Sequence, residues 1–499
     1  VTNIVSSSSP AGSIETALRR AEQAVVESGG AVAAWFALAH AHWSAGRPQG
    51  ALAACDAGLA SHGDDPALMS AKATFLTDLD RPAEARSLFE RALTASPVLP
   101  SALFGLARLA ADQGAWPEAD IRLQALAAAQ APTPEHHWLR GRIALGLGDA
   151  AGARAALEQL LAAQDLPPAV RAEGLLLLSE ALDGLEQSAA AFEAARQGKA
   201  IQRRVYADAA RGREPVARRY ERLARAFENA APADWAPAPA GTFSPPAKGH
   251  VLLVGFPRSG TTLLEQALAA SPQVCALEEA PTLAAAHAEF LTSEAGVRRL
   301  AGLTAAEADT WRARYWTEVR AHGGRPERRI LLDKAPAATD DLALVAKLFP
   351  DARVLFAIRD PRDVVLSCLR QNFRMNALTY AFTSLPDAAA TYAACMTLAD
   401  VYRRVLPLPI LDVRHEALVQ DFETGLREVC GFIGLGFEPA MLDVAATAGA
   451  REVRTPSAPQ VRAGLNARGV GRWRRYAREL APVLPTLAPW AVRFGYRAD

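Results

Sequence analysis

Through the first half of the chain, small residues and helix-opening residues recur in a register of 34. Pro66, Pro100, Pro134 and Pro168 share one column, and Ala39, Ala73, Ala107 and Gly141 a second. Gly46, Asp80, Gly114 and Gly148 form a third, and Ala51, Ala85, Ala119 and Ala153 a fourth. Proline suits the first turn of a helix, where its missing N–H has no partner to lose. Glycine suits the turn between helices, and small residues let two helices touch. The columns predict a helix–turn–helix unit whose apolar face only a stacked neighbour can cover, and hence a right-handed superhelix with a concave groove. Gly12 and Ala17 keep the register upstream, which predicts a leading half-repeat over residues 13–28. Gly184 and Ala189 fall two residues late, which predicts a degenerate fifth unit over about 168–197.

After residue 248 the pattern changes to short apolar runs alternating with helical periods. Val251 to Gly255 reads as a buried strand, followed by a helix from Thr261 with Leu263, Leu264, Ala267 and Leu268 on one face. Further strands are expected at Val274 to Leu277, within 328–336 up to Lys334, at Val354 to Ile358, and ending near Val413. Trp311, Tyr315 and Val319 at intervals of four mark a helix, as do the apolar residues of 422–433. Such alternation predicts a three-layer α/β domain with a parallel sheet. Between the halves, the Arg-rich residues 201–227 read as a helix capping the repeats. Pro232, Pro237, Pro239, Pro245 and Pro246 then exclude helix and central strand, leaving a linker or a strap on the second domain. The expected domains are a repeat array over 13–229, a linker over 230–247 and an α/β domain over 248–499.

The length of 499 residues agrees with two or more cores. A net charge of zero gives no global case for nucleic acid or an anionic membrane. Cys55, Cys275, Cys368, Cys395 and Cys430 are scattered without metal-ligand or disulfide spacing. The stretch VTNIVSSSSPAGS lacks the charged start and apolar run of a signal peptide, and no window approaches the ~18 apolar residues of a membrane span. A cytoplasmic protein is expected. Trp35, Trp43, Trp116 and Trp138 read as inter-helix packing, and His136-His137 as an exposed loop without partner ligands.

The chemistry concentrates where strands end. A buried strand running through a glycine turn into a helix N-terminus gathers unpaired N–H groups and the positive end of the helix dipole. Gly255-x4-Gly260 has the spacing of a nucleotide-binding loop, but Thr261 stands where the usual lysine would reach the β- and γ-phosphates. Instead Arg258 supplies a cation inside the turn, and Ser259, Thr261 and Thr262 add hydroxyls. Further along, Glu278 and Glu279 follow one strand, Lys334 ends another, and Arg359 ends a third. Asp360 and Pro361 then open a helix carrying Ser367. A carboxylate in the shared crevice at the strand ends can act as a general base.

The repeat columns resemble the tetratricopeptide repeat, whose grooves bind peptides or partner proteins. PRSGTT resembles the 5′-phosphosulfate loop of sulfotransferases that use 3′-phosphoadenosine-5′-phosphosulfate (PAPS). The resemblance covers about 248–480, with a catalytic domain similar to that of the tyrosylprotein sulfotransferases, and the whole chain resembles bacterial tetratricopeptide-repeat sulfotransferases. It implies that Arg258, Ser259, Gly260, Thr261 and Thr262 hold the 5′-phosphosulfate, and that Arg359 and Ser367 hold the 3′-phosphate. It further implies Glu279 as catalytic base, Lys334 as the transition-state lysine, and Ser457, in a basic C-terminal loop, near the phosphosulfate. Ala463 and Pro281 depart from that group, which tends to have Lys and Arg there. The implied activity is metal-free sulfuryl transfer to a hydroxyl or amine acceptor on a peptide, sugar, lipid or small molecule, with the repeats presenting that acceptor or binding a partner. Two alternatives stay open: a repeat scaffold with a nucleotide-binding but silent second domain, and a P-loop kinase lacking the usual lysine.

Overall fold

The computed structural model describes residues 11–450, 464–465 and 469–497, and the chain divides into two compact units, Val1–Ile201 and Gln202–Asp499. In the first unit, helix Ala11–Glu27 leads four pairs. These are Val32–Ser44 with Pro48–His62, Pro66–Asp78 with Pro82–Ala95, Pro100–Asp112 with Trp116–Ala129, and Pro134–Leu147 with Ala150–Ala162. Each proline of the first column opens its helix. Gly46, Asp80, Gly114 and Gly148 all take φ between 62° and 80°, which accounts for the turn column. Ala39, Ala73 and Ala107 are fully buried, and a Cβ on Gly141 would stand 2.6 Å from Leu157.

Two expectations change here. Helix Pro168–Gly184 has 17 residues against 13 in Pro100–Asp112, one turn more, so the left-handed turn residue of the fifth unit is Glu186. His136 and His137 lie in the first turn of Pro134–Leu147, with His136 buried, and not in an exposed loop.

The second unit is built on a parallel sheet ordered β2-β3-β1-β4-β5. Its strands are β1 (Gly249–Gly255), β2 (Val274–Glu278), β3 (Ile330–Lys334), β4 (Arg353–Ile358) and β5 (Ile410–Arg414). On one face Val251, Leu253, Leu332 and Leu355 pack with Leu264 and Leu268 of helix Thr261–Ala269, and with Leu426 and Val429 of helix Phe422–Ile433. On the other, His250 meets Tyr315 and Trp316 of helix Ala305–Ala321. Apolar side chains on both faces explain why the central strands read as runs and not as alternation. β1 lies between β3 and β4, so the connection after β1 runs to one side of it, toward β2, and the connection after β3 crosses to the other, toward β4. Ligands of open parallel sheets bind at such a switch point.

The Arg-rich segment expected to cap the repeats belongs mostly to this second unit. Helix Val216–Glu228 buries Tyr220, Leu223 and Phe227 against helix Leu385–Val405, with the Phe227 and Tyr402 rings 5.0 Å apart. The proline-rich stretch after it straps the same unit. Trp235 is buried 4.2 Å from the Phe227 ring, and the Lys347 ammonium donates to the carbonyls of Asp234 and Ala236. Among the described residues no helix is long and apolar enough to cross a membrane.

Candidate active site

Three loops at the carboxyl ends of β1, β2 and β4 build the site. After β1, Gly255 has φ 149°, and a Cβ there would stand 2.6 Å from the Ala357 carbonyl. The turn closes through the Ser259 N–H, which donates to Phe256 O at 3.1 Å. Gly260 has φ 96° and precedes the helix, and a Cβ on it would stand 2.5 Å from Nδ1 of His415. Only glycine gives both the backbone angle and the room. Ser259, Thr261 and Thr262 are buried around this turn.

Arg258 occupies φ 72°, a left-handed backbone that costs a bulky residue free energy and is typical of functional turns. The conformation aims its guanidinium at the helix after β4, where Nε donates to Ser367 Oγ at 2.9 Å. Arg359, from the end of β4, donates to the Arg258 carbonyl at 2.9 Å and to the Gly469 carbonyl at 2.6 Å, while its Nε has no hydrogen-bond partner among the described residues. Asp360 caps helix Pro361–Arg370 by accepting from the Arg362 N–H, which fixes where Ser367 faces. The two guanidinium groups thus meet at the N-terminus of Thr261–Ala269. Their field is visible on His415, whose pKa falls to about 3, first from burial and then from Arg359 and Arg258. A neutral imidazole, two arginines and a helix N-terminus make a site for a polyanion.

The loop after β2 supplies the carboxylates. Glu279 sits at φ 49°, and its N–H extends the sheet ladder by donating to the Lys334 carbonyl at 2.7 Å. Its carboxylate then meets the Lys334 ammonium at 2.9 Å, with Glu278 and Glu265 each at 3.4 Å. Burial works against the lysine's charge, but Glu265, Glu279 and Glu278 outweigh it and its pKa is raised. The Glu279 side chain is 47% exposed against 16% for Glu278, so Glu279 is the more open of the two to solvent.

Sequence patterning missed Glu265, His415, Asp363 and Asp333. Asp363 accepts from the N–H groups of Gly471 and Trp473, both at 2.7 Å, and so ties the C-terminal segment beside Arg359. Asp333 points to the other face of β3, where Tyr315 and Thr282 donate to it, and burial lifts its pKa to about 6. His287, Asp340 and Asp341 gather their ligand atoms within 4.8 Å, but Arg219 already sits 2.9 Å from Asp340 and supplies a cation. Ser457, expected near the phosphosulfate, lies outside the described residues.

Residues 250–439 match the family model described as Sulfotransferase family, and residues 11–74 and 76–143 match the tetratricopeptide repeat. Protein-tyrosine sulfotransferase 1 of Danio rerio is 27% identical over 263 residues, 49% of this chain and 72% of that protein. The Mus musculus protein of the same name is 34% identical over 124 residues, covering 24% and 33%. An uncharacterized protein of Aquifex aeolicus is 28% identical over 249 residues, 48% of this chain but only 32% of its own length. Among solved structures, the sulfotransferase domain of the Synechococcus PCC 7002 olefin synthase is 26% identical, with TM-score 0.33, over 48% of this chain and 90% of that domain.

Proposed function

From a chain that joins tetratricopeptide repeats to a sulfotransferase-family segment, we propose an enzyme that moves a sulfuryl group from PAPS to a hydroxyl or amine acceptor. The observation that carries the reading is the convergence of Arg258, Arg359 and Ser367 at one helix N-terminus. Nε of Arg359 and Nδ1 of His415, without hydrogen-bond partners among the described residues, and the space that only glycine leaves at position 260 fit a phosphorylated nucleotide. In this reading the turn from Arg258 to Thr262 holds the 5′-phosphosulfate, and Arg359 with Ser367 holds the 3′-phosphate that separates PAPS from ATP.

Glu279 releases Lys334 and takes the acceptor's proton as the acceptor–sulfur bond forms and the sulfur–oxygen bond to the 5′-phosphate breaks. Lys334 and Arg258 face the charge that grows on the departing phosphate, with Ser457 as a further donor. Positioning and electrostatics dominate such transfers, since a loose transition state needs little covalent help. No residue's role in this scheme depends on a metal. The relatives' names make a peptide tyrosine the first acceptor to try, and the repeats are read as the binding site for a protein or peptide. The test is label transfer from PAPS carrying radioactive sulfate to tyrosine peptides and to fractionated cell extract. Wild-type label incorporation that Glu279→Gln abolishes supports the reading, and no incorporation into any fraction contradicts it.

A further inference from the structure

Lys334 is fully buried among three carboxylates from three elements, at the end of β2, in the turn after it, and on helix Thr261–Ala269. Only one of the three is itself fully buried: Glu265, 0% exposed, 3.4 Å from the ammonium. Glu265 lies four residues after Thr261, on the same helical face, so it joins the phosphate turn to the base. A base that takes the acceptor's proton must leave Lys334. At that moment a buried ammonium loses its nearest partner, and its desolvation must be offset by the carboxylates that remain.

We propose that Glu265 is a positioning residue, holding Lys334 charged and in place while Glu279 turns to the acceptor. The inference rests on the sulfuryl-transfer reading above. Glu278, at the same distance, ends a strand at the rim of the site and is partly exposed, whereas Glu265 is clamped inside a helix buried along its length. Among the charges that raise the Lys334 pKa against its burial, that of Glu265 acts most strongly, ahead of those of Glu279 and Glu278, and Glu279 adds a hydrogen bond. Asp333, the neighbouring carboxylate on β3, faces away and is engaged by Tyr315 and Thr282.

The signs for Glu265→Gln follow from one lost negative charge. Lys334 keeps its burial but loses its largest stabilising charge, so its pKa falls. The alkaline limb of the pH–rate profile, where the ammonium loses its proton, then moves to lower pH. A merely structural role would lower the profile without moving it.

The experiment uses the full chain and measures three things for wild type and Glu265→Gln: thermal stability, affinity for adenosine 3′,5′-bisphosphate, and the pH dependence of turnover. Bisphosphate affinity within threefold of wild type, turnover down at least tenfold and the alkaline limb displaced to acid support the proposal. An unmoved alkaline limb overturns it. Should Glu265→Gln fail to fold, Glu265→Asp keeps the charge but sets it farther from the ammonium, so the alkaline limb moves to acid by a smaller amount. Reduced turnover with that limb unmoved overturns the proposal. A wild type that neither binds the bisphosphate nor transfers sulfate removes the functional reading and this inference with it. An active wild type with an unmoved alkaline limb in the variant removes this inference alone.

Discussion

Glu279 and Arg258, the proposed base and phosphate-binding arginine, both lie on left-handed backbone, at φ 49° and 72°, the kind of strain that persists where surrounding structure enforces it. Glu279→Gln keeps the shape but cannot accept a proton, so turnover should fall by about 10²–10⁴ with adenosine 3′,5′-bisphosphate affinity nearly unchanged. Arg359→Ala should do the reverse, weakening that affinity by about 1.5–3 kcal/mol as one charge-assisted phosphate contact is lost. Titration calorimetry beside steady-state rates separates the two, and equal effects on both parameters in both variants would sink the division of labour. Glu278→Gln is the control, expected to be mild. At this scale, residues in turns were legible because a charge directly after an apolar run has no packing role. Glu265 and His415 were not. Glu265 is one charge inside a buried helix, and a sequence does not say that a lysine from β3 will meet it. Nor does it show that Gly260 leaves its space beside His415.

Among the elements, β3 is read on both faces at once, with Lys334 toward the site and Asp333 toward the layer behind. Burial raises the folded-state pKa of Asp333 to about 6, above its unfolded value. The unfolded chain therefore ionises first, and this group's contribution to stability falls as pH rises from about 4 to about 6, then levels off. The loss is at most about 2–3 kcal/mol. Asp363, raised to about 6 by burial against the pull of Arg359, acts in the same sense. Asp333→Asn should flatten the pH dependence of unfolding over that window, and an unchanged slope would show that the carboxylate is not responsible. The strands were readable because their apolar runs are short and end in turns. The destination of helix Val216–Glu228 was not. Arg218 and Arg225 mark the outer face, and Tyr220, Leu223 and Phe227 give a buried face, but helical period is silent about which unit receives it. The strap was equally open until Trp235 was found against Phe227. Trp235→Ala should cost about 3–5 kcal/mol in unfolding of the second unit, the usual loss for a buried aromatic, and a cost under about 1 kcal/mol would mean the strap is passive.

For the molecule as a whole, the chain divides at Ile201 and Gln202 and not in the proline-rich stretch. A fragment starting near residue 202 should fold and bind the nucleotide without the repeats. One starting at 248 loses Tyr220, Phe227 and Trp235 from its core and should be far less stable. Loss of nucleotide affinity in a folded fragment from 202 would show that the repeats complete the site. The repeat array was legible almost in full, since one column of prolines and one of left-handed turn residues repeat with each helix pair. What the array binds was not legible, because its columns record stacking and not the groove. The central claim is that Arg258, Arg359 and Ser367 form a site for a 3′,5′-bisphosphorylated nucleotide, and it is tested most directly by ligand-dependent melting. Adenosine 3′,5′-bisphosphate at ~100 times its Kd should stabilise the protein by about 2.7 kcal/mol, with ATP and Mg²⁺ at the same concentration giving far less. A shift with ATP and Mg²⁺ as large as that with the bisphosphate would contradict the account.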